Sequence, residues 1–359
     1  MFQRHMTGKF KGIMKTKLSV AAIISLIISA SAQVEITDFF SDFTSSDVTI
    51  NSTGDLHGKA VFELIYAGSP VESHETLIDI KGGGSATKVI LWEKKPQQDY
   101  YTAKVSILED SRVLSNTSYQ VSYGTVSLPG FHVVDFSPTN TGVQLLLRPF
   151  NPGSVDIKIE LLDNNDIIYT KSNDNVYLTV IQENTMTWPF LLERNKKYIV
   201  RAKIYSHRLY AAPLVNTYAS FFTATDDVEI LKGDVSVDEY GVSVTLRGKS
   251  QVPFDGSLVV TAKNRATGEI KTFRQVFQEI LVSEKEDTAG VVWKGLKSGT
   301  YDVEILALNE ENTTLDKYET VLRIPEPPAV AATTAQKSPG FAALLFMIAL
   351  LMARRLKGG

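Results

Sequence analysis

Gly295-Leu296-Lys297-Ser298-Gly299-Thr300-Tyr301-Asp302-Val303-Glu304-Ile305 decides how this chain reads. Two glycines punctuate a turn, and a tyrosine then opens an alternating run. Tyr301, Val303, Ile305 and Ala307 share one face, with Asp302 and Glu304 on the other. A period of two with one polar face is the mark of a half-buried β-strand.

The pattern recurs upstream. A tryptophan precedes each such tyrosine: Trp92 before Tyr100 or Tyr101, Trp188 before Tyr198, and Trp293 before Tyr301. Tyr101, Ala103, Val105 and Ile107 point one way, with Thr102, Lys104 and Ser106 opposite. Tyr198, Val200, Ala202 and Ile204 point inward, with Arg201 and Lys203 outward. Earlier in each segment a strand runs through Val48 and Ile50, through Val143, Leu145 and Leu147, and through Val242, Val244 and Leu246. A glycine (Gly58, Gly153, Gly256) then leads into Ala60-x-Phe62-x-Leu64, Val155-x-Ile157-x-Ile159 and Leu258-x-Val260-x-Ala262. Agreement at a spacing of about 100 residues indicates an internal repeat.

Short alternating strands with no helical periodicity point to an all-β fold of three tandem immunoglobulin-like or fibronectin-like β-sandwiches. The 295–305 segment resembles the turn-tyrosine-strand segment of those domains. The resemblance implies that Tyr301, and by extension Tyr198 and Tyr101, bond their hydroxyls back to the chain at a sheet corner. It extends to fold class alone, because the disulfide of antibody domains has no counterpart here. The expected boundaries are 34–127, 131–225 and 227–324, with Leu128-Pro129-Gly130 and Asp226-Asp227 at the joints.

The 359 residues include 43% hydrophobic and 21% charged, enough for two or three packed cores. The net charge of -3 conceals an asymmetry. Arg4, Lys9, Lys11, Lys15 and Lys17 lie in the first 32 residues, which have no acid, and Arg354, Arg355 and Lys357 lie at the other end; without these eight cations the body stands at -11. An acidic body argues against nucleic acid as a partner. With no cysteine, disulfides, thiolate metal sites and cysteine nucleophiles are excluded.

Both termini read as addresses. A basic stretch, the apolar run Leu18–Ile28, and Ala30-x-Ala32 follow one another as in a secretory signal peptide covering 1–32; a retained N-terminal anchor is the alternative. At the other end Pro325 to Ser338 is rich in Pro, Ala and Thr, a semi-rigid spacer (325–338). Residues 339–359 begin Pro339-Gly340-Phe341, continue as an apolar run to Ala353, and finish in the basic cluster. The run spans about 20 Å as a helix, short of a hydrocarbon core of about 30 Å. This end resembles the PGF-CTERM sorting signal of archaeal surface proteins. That resemblance implies processing by an archaeosortase-like enzyme, replacement of the tail by a lipid, and residence in an archaeal, S-layer-type envelope. A plain membrane anchor is the alternative.

No chemistry stands out. His57, His74, His132 and His207 are scattered, without metal-ligand spacing. Gly82-Gly83-Gly84-Ser85 lacks the context of a phosphate loop. Asp163-Asn164-Asn165-Asp166 lies between two apolar runs and reads as a hairpin turn rather than a calcium loop. No catalytic residue, metal ligand or cofactor is expected. Lys196, Lys197, Arg201, Lys203 and Arg208 form a candidate docking strip for another subunit or an acidic glycan. The sequons at Asn51, Asn116 and Asn312 are candidate glycosylation sites, each expected in a polar turn.

These features lead to a non-enzymatic, membrane- or lipid-anchored surface protein with a structural or adhesive role, meeting envelope proteins or glycans. A substrate-binding or accessory module of an envelope enzyme is the alternative, which an aromatic-lined shallow face would favour. A flat, pocket-free body would support the first reading and a cleft would sink it. An undetected hydrolase would need a deep pocket with converging carboxylates.

Overall fold

A computed structural model describes residues 33–94, 97–124, 128–208, 210–277 and 281–326. The signal segment, the sorting signal with Ala30, Ala32, Pro339, Gly340 and Phe341, and nearly all of the spacer lie outside the described residues. No α-helix occurs among the described residues; a single 3-10 turn spans Lys232–Asp234.

The strands fall into three successive sets. The first comprises β1 (Val34–Ser41), β2 (Ser45–Ser52), β3 (Leu56–Tyr66), β4 (Ser69–Ile80), β5 (Gly84–Leu91), β6 (Asp99–Glu109) and β7 (Arg112–Tyr123). The second comprises β8 (Phe131–Pro138), β9 (Gly142–Pro149), β10 (Gly153–Asp163), β11 (Asp166–Leu178), β12 (Gln182–Thr187), β13 (Lys197–Arg208) and β14 (Ala211–Thr223). In the third the opening strand is split into β15 (Val228–Ile230) and β16 (Ser236–Val237). It continues with β17 (Gly241–Gly248), β18 (Ser257–Asn264), β19 (Ile270–Val276), β20 (Glu286–Val292), β21 (Gly299–Leu308) and β22 (Thr314–Ile324).

Each set builds its sheets in the same order. The first, second and fifth strands pair in one layer (β1-β2-β5, β8-β9-β12, β15/β16-β17-β20). The fourth, third, sixth and seventh pair in the other (β4-β3-β6-β7, β11-β10-β13-β14, β19-β18-β21-β22). All the register-defined pairings between named strands are antiparallel, and the final hairpin of every set carries a bulge near the same place, at Ile107/Leu108, Ser206/Arg208 and Ala307/Leu308. Between the layers lie the alternating residues. Val48, Ile50, Ala60, Phe62, Leu64, Tyr101, Val105 and Ile107 share one core; Val143, Leu145, Leu147, Ile157, Ile159, Trp188, Tyr198, Val200 and Ile204 share another. Val244, Leu246, Leu258, Val260, Val303 and Ile305 are buried in the third set.

The three tryptophans occupy equivalent places. Each directly follows the fifth strand. Its backbone N–H donates to the carbonyl just before the second strand: Trp92 to Thr44 (3.0 Å), Trp188 to Thr141 (2.9 Å), Trp293 to Tyr240 (2.9 Å). Each indole N–H reaches back to the same connection, to Ser41 Oγ, Thr139 O and Asp238 O. The tyrosines close the opposite layer. Tyr101 and Tyr301 donate to the carbonyls of Gln97 (3.2 Å) and Lys297 (2.9 Å) and accept the N–H of the same residues, while Tyr198 accepts the N–H of Glu193 (3.2 Å). The hydroxyls thus bond back to the chain, as the corner resemblance implied.

The chain divides into two compact units, one holding residues 1–227 with 248–254 and 282–284, the other 228–247, 255–281 and 285–359. Within the first unit, the tip of the β10–β11 hairpin reaches the edge of β5. Asp166 pairs with Lys88, Val89 N–H donates to Asn165 O, and Asn165 Nδ2 donates to Val89 O. One seven-stranded sheet results, β1-β2-β5-β11-β10-β13-β14. Asp163-Asn164-Asn165-Asp166 is therefore a hairpin turn, as its sequence suggested, with Asn164 in the left-handed region (φ 55°).

Candidate functional site

On β13, alternation sends Tyr198, Val200, Ala202 and Ile204 into the core and leaves Arg201 and Lys203 on the other face. That face is covered. β2 of the first set lies over it and brings Asp47 to the two cations. Arg201 is 1% exposed, Lys203 4%, Asp47 3% and Glu160 0%. Arg201 holds Glu160 through Nε (2.7 Å) and Asp47 through Nη1 (2.8 Å), and Lys203 Nζ lies 3.0 Å from Asp47 Oδ2. Lys158 closes on the remaining oxygen of Glu160 at 2.8 Å, and Lys203 sits 4.1 Å from the centre of the Phe40 ring. Burial pulls the Arg201 guanidinium down, but Asp47 and Glu160 outweigh it and hold the pKa above its ordinary value.

A second clamp lies beside this one. Asp42, between β1 and β2, accepts N–H bonds from Thr44 (2.7 Å), Ser45 (2.9 Å) and Thr217 of β14 (2.6 Å), and the Thr217 hydroxyl donates to it at 2.8 Å. Ser45 Oγ donates to Thr217 Oγ1, linking the clamp to the ion cluster. Burial pushes the Asp42 carboxyl above the usual range, although the four donors pull it down.

These positions correct the docking strip. Arg201 and Lys203 are not an exposed strip, because their charges are consumed inside the chain by Asp47 and Glu160. Lys196 is half-buried between Asp163 (2.7 Å) and Glu193 (2.8 Å). Lys197 and Arg208 stay exposed, Lys197 over the Phe221 ring and Arg208 on the Ala212 carbonyl, so these five residues do not form one continuous basic strip. Sequence reasoning missed Asp47 and Glu160. An acid in a strand reads as solvent-facing, and the only signal was its alternation opposite an inner face.

The surface is not free of pockets. A half-open cleft of about 450 Å³ borders the Asp42 clamp, lined by Phe43, Tyr123 and Tyr218 together with Gln98. Burial, and secondarily Asp42, pushes the Tyr218 hydroxyl up to about 12. Asp42 is the one carboxylate lining this cleft, and its oxygens already face donors from the chain. Paired carboxylates for hydrolysis do not converge there.

The histidines lie apart from one another. His57 pairs with Asp79 (2.7 Å), His207 with Asp156 (3.0 Å), and His74 with Glu72 (2.6 Å). Among the described residues no group of three or more His, Asp or Glu could hold a metal ion, and no helix is long and apolar enough to cross a membrane. Asn51, Asn116 and Asn312 are all exposed. Only Asn312 lies in a turn (φ 62°); Asn51 is on β2 and Asn116 in the middle of β7. The expectation of three turns fails because a sequon constrains accessibility and not backbone type.

No protein-family model matches the chain, and no curated protein matches it. Among solved structures, one similar chain is described as the tetra-tandem repeat in the extending region of a large adhesion protein, at a TM-score of 0.25 and 11% identity, covering 81% of this chain and 74% of that one. Another is a DUF4785 family protein from Legionella pneumophila, at a TM-score of 0.24 and 10% identity, covering 82% and 90%. Similarity at that level carries no functional argument.

Proposed function

We propose that this chain is a non-enzymatic surface protein of three tandem immunoglobulin- or fibronectin-like sandwiches, exported by its N-terminal segment and held at the envelope by its C-terminal one. Its role is structural or adhesive, through contacts with envelope proteins or glycans. One observation carries the reading: a cluster of charged side chains, Asp47, Glu160, Arg201 and Lys203, is buried and used up in joining one set of strands to the next. Burying such a cluster costs desolvation, and its best-attested use is to fix one arrangement, the property a spacing element needs. Protease treatment of intact cells tests the proposal. The body should be digested from outside, whereas full protection in intact cells with digestion after lysis would refute surface display.

The cleft fails the pocket-free test set for this reading, which stands on the buried cluster alone, and it favours a second, a module that binds a ligand for an envelope enzyme. Phe43, Tyr123 and Tyr218 give it aromatic faces suited to sugar rings. Titration with neutral oligosaccharides, using Tyr123→Ala as control, decides this: binding lost in the variant supports the module, and no binding removes it.

A further inference from the structure

Tyr66, Tyr101 and Tyr123 stand side by side at one end of the β4-β3-β6-β7 layer. β3 and β6 bring Leu64 opposite Ala103 and Ile65 opposite Thr102, and β6 and β7 bring Tyr101 opposite Val121 and Asp99 opposite Tyr123. Alternation places Tyr66 on the inner face with Phe62 and Leu64, and Tyr123 there with Val121. Inner-face side chains normally disappear into a core. Tyr101 does so, but Tyr66 and Tyr123 stay 36% and 40% exposed, because they are the last residues of β3 and β7. Phe43, from the turn between β1 and β2, meets this end. Its ring lies 5.4 Å from that of Tyr101 and 5.0 Å from that of Tyr123, edge to face in both cases, and Tyr66 lies 4.9 Å from Tyr101.

The cleft of about 450 Å³ uses one part of this row: Phe43 and Tyr123 line it, and β14 adds Tyr218. Tyr66 is not among its lining residues, yet it is tied to them. Gln98 lines the cleft, and the next residue, Asp99, accepts the Tyr66 hydroxyl at 2.8 Å. That bond holds the Tyr66 ring in place before any ligand arrives, which lowers the ordering cost of binding. The amides of Gln98 and Asn216 supply polar groups between and beside the rings.

Aromatic faces with hydrogen-bonding groups at their margins match the chemistry of a sugar ring, which has an apolar C–H face and a rim of hydroxyls. We propose that the cleft and Tyr66 are successive subsites for one extended, neutral glycan chain, Tyr66 holding a sugar ring beyond the one seated in the cleft. This deepens the ligand-binding reading of the cleft and rests on it. The charged groups that line the cleft and hold Tyr66 are carboxylates, Asp42 and Asp99. The N–H of Tyr100, and then the Tyr66 hydroxyl, hold the Asp99 carboxyl below its usual range. An acidic glycan meets that like charge, whereas a neutral one meets acceptors for its hydroxyls.

Calorimetric titration of the full-length protein in mild detergent tests this. The probes are neutral gluco- and manno-oligosaccharides from disaccharide to hexasaccharide, and an oligouronide of the greatest length. Affinity should rise about tenfold from the shortest to the longest neutral probe, and the oligouronide should bind at least about tenfold more weakly than the neutral hexasaccharide. Tyr66→Ala should remove the gain with length and leave disaccharide binding intact. Tyr123→Ala should weaken every length, and Tyr177→Ala, at an exposed aromatic residue of β11, should bind as the wild type does. Circular dichroism establishes that each variant is folded. Binding with equal affinity at all lengths, or a gain with length that survives Tyr66→Ala, overturns the extended site and leaves the cleft reading standing. An oligouronide that binds as tightly as the neutral hexasaccharide overturns the selection for neutral chains. Absence of binding by every probe removes the cleft reading and this proposal with it.

Discussion

Asp47 and Arg201 are 154 residues apart in sequence and 2.8 Å apart in space. With Glu160 and Lys203 they form a buried set of two acids and two bases, which the half-buried Lys158 joins at Glu160. Removing one member strands a buried charge, so Arg201→Ala should cost about 3–5 kcal/mol. Replacing the whole set by apolar residues of similar volume should cost far less. Denaturant unfolding of both variants checks this, and a loss below about 1 kcal/mol for Arg201→Ala would mean the pair is solvated. Asp42 adds a pH signature. Its folded pKa is raised above the unfolded value by burial, so the native state binds the proton more tightly. Its contribution to stability is therefore greatest in acid and is lost as pH rises through the folded value. Other carboxylates, such as Glu72, shift downward: burial raises it, but the N–H groups of Glu93 and Lys94 and the His74 ring together hold it below its usual range. Asp42 is accordingly read as the difference between wild type and Asp42→Asn across pH 4–7. That difference should move with pH in the stated direction; a flat difference would place the carboxyl in an ordinary environment. Neither cluster was legible in the sequence, since the partners of Arg201 and Lys203 come from another strand set and periodicity reports one set at a time.

At the scale of elements the sequence was far more informative. Tyrosine-led strands and the strand before each glycine follow from period two and are found where alternation puts them, because each inner face needs a partner layer; the Trp positions follow from the shared order of the repeat. What alternation cannot tell is whether an outer face meets water, and that is why β13 was half misread. Trp188 is buried to 1% exposure and Trp92 and Trp293 to 8% and 7%. Truncating Trp188 to Ala should cost roughly 3–5 kcal/mol. Tyr301→Phe should cost about 1 kcal/mol, the net worth of its corner bonds. Thermal unfolding measures both, and a neutral Trp188→Ala would contradict the packing described. A local constraint appears at Gly142, the first residue of β9. A Cβ there would lie 2.0 Å from the carbonyl oxygen of Met186. Gly142→Ala should therefore destabilise the second set by displacing β12; an unchanged melting temperature would show that the strands yield freely.

Three repeated strand sets make up the described body, and export and anchoring are proposed for the two terminal segments. The sets rest on register, burial and recurring hydrogen bonds, and the addresses on residue order at Ala30-x-Ala32 and Pro339-Gly340-Phe341, which lie outside the described residues. Changing Pro339 and Gly340 to Ala should yield a larger species that keeps its tail, if a membrane-embedded enzyme recognises that tripeptide. Mass spectrometry of both termini of envelope-derived protein tests the central claim. The account predicts a chain that starts at or near Gln33 and ends before Phe341, carrying a lipid. Recovery of the Leu18–Ile28 run together with the Arg354–Gly359 peptide from the mature protein would contradict it.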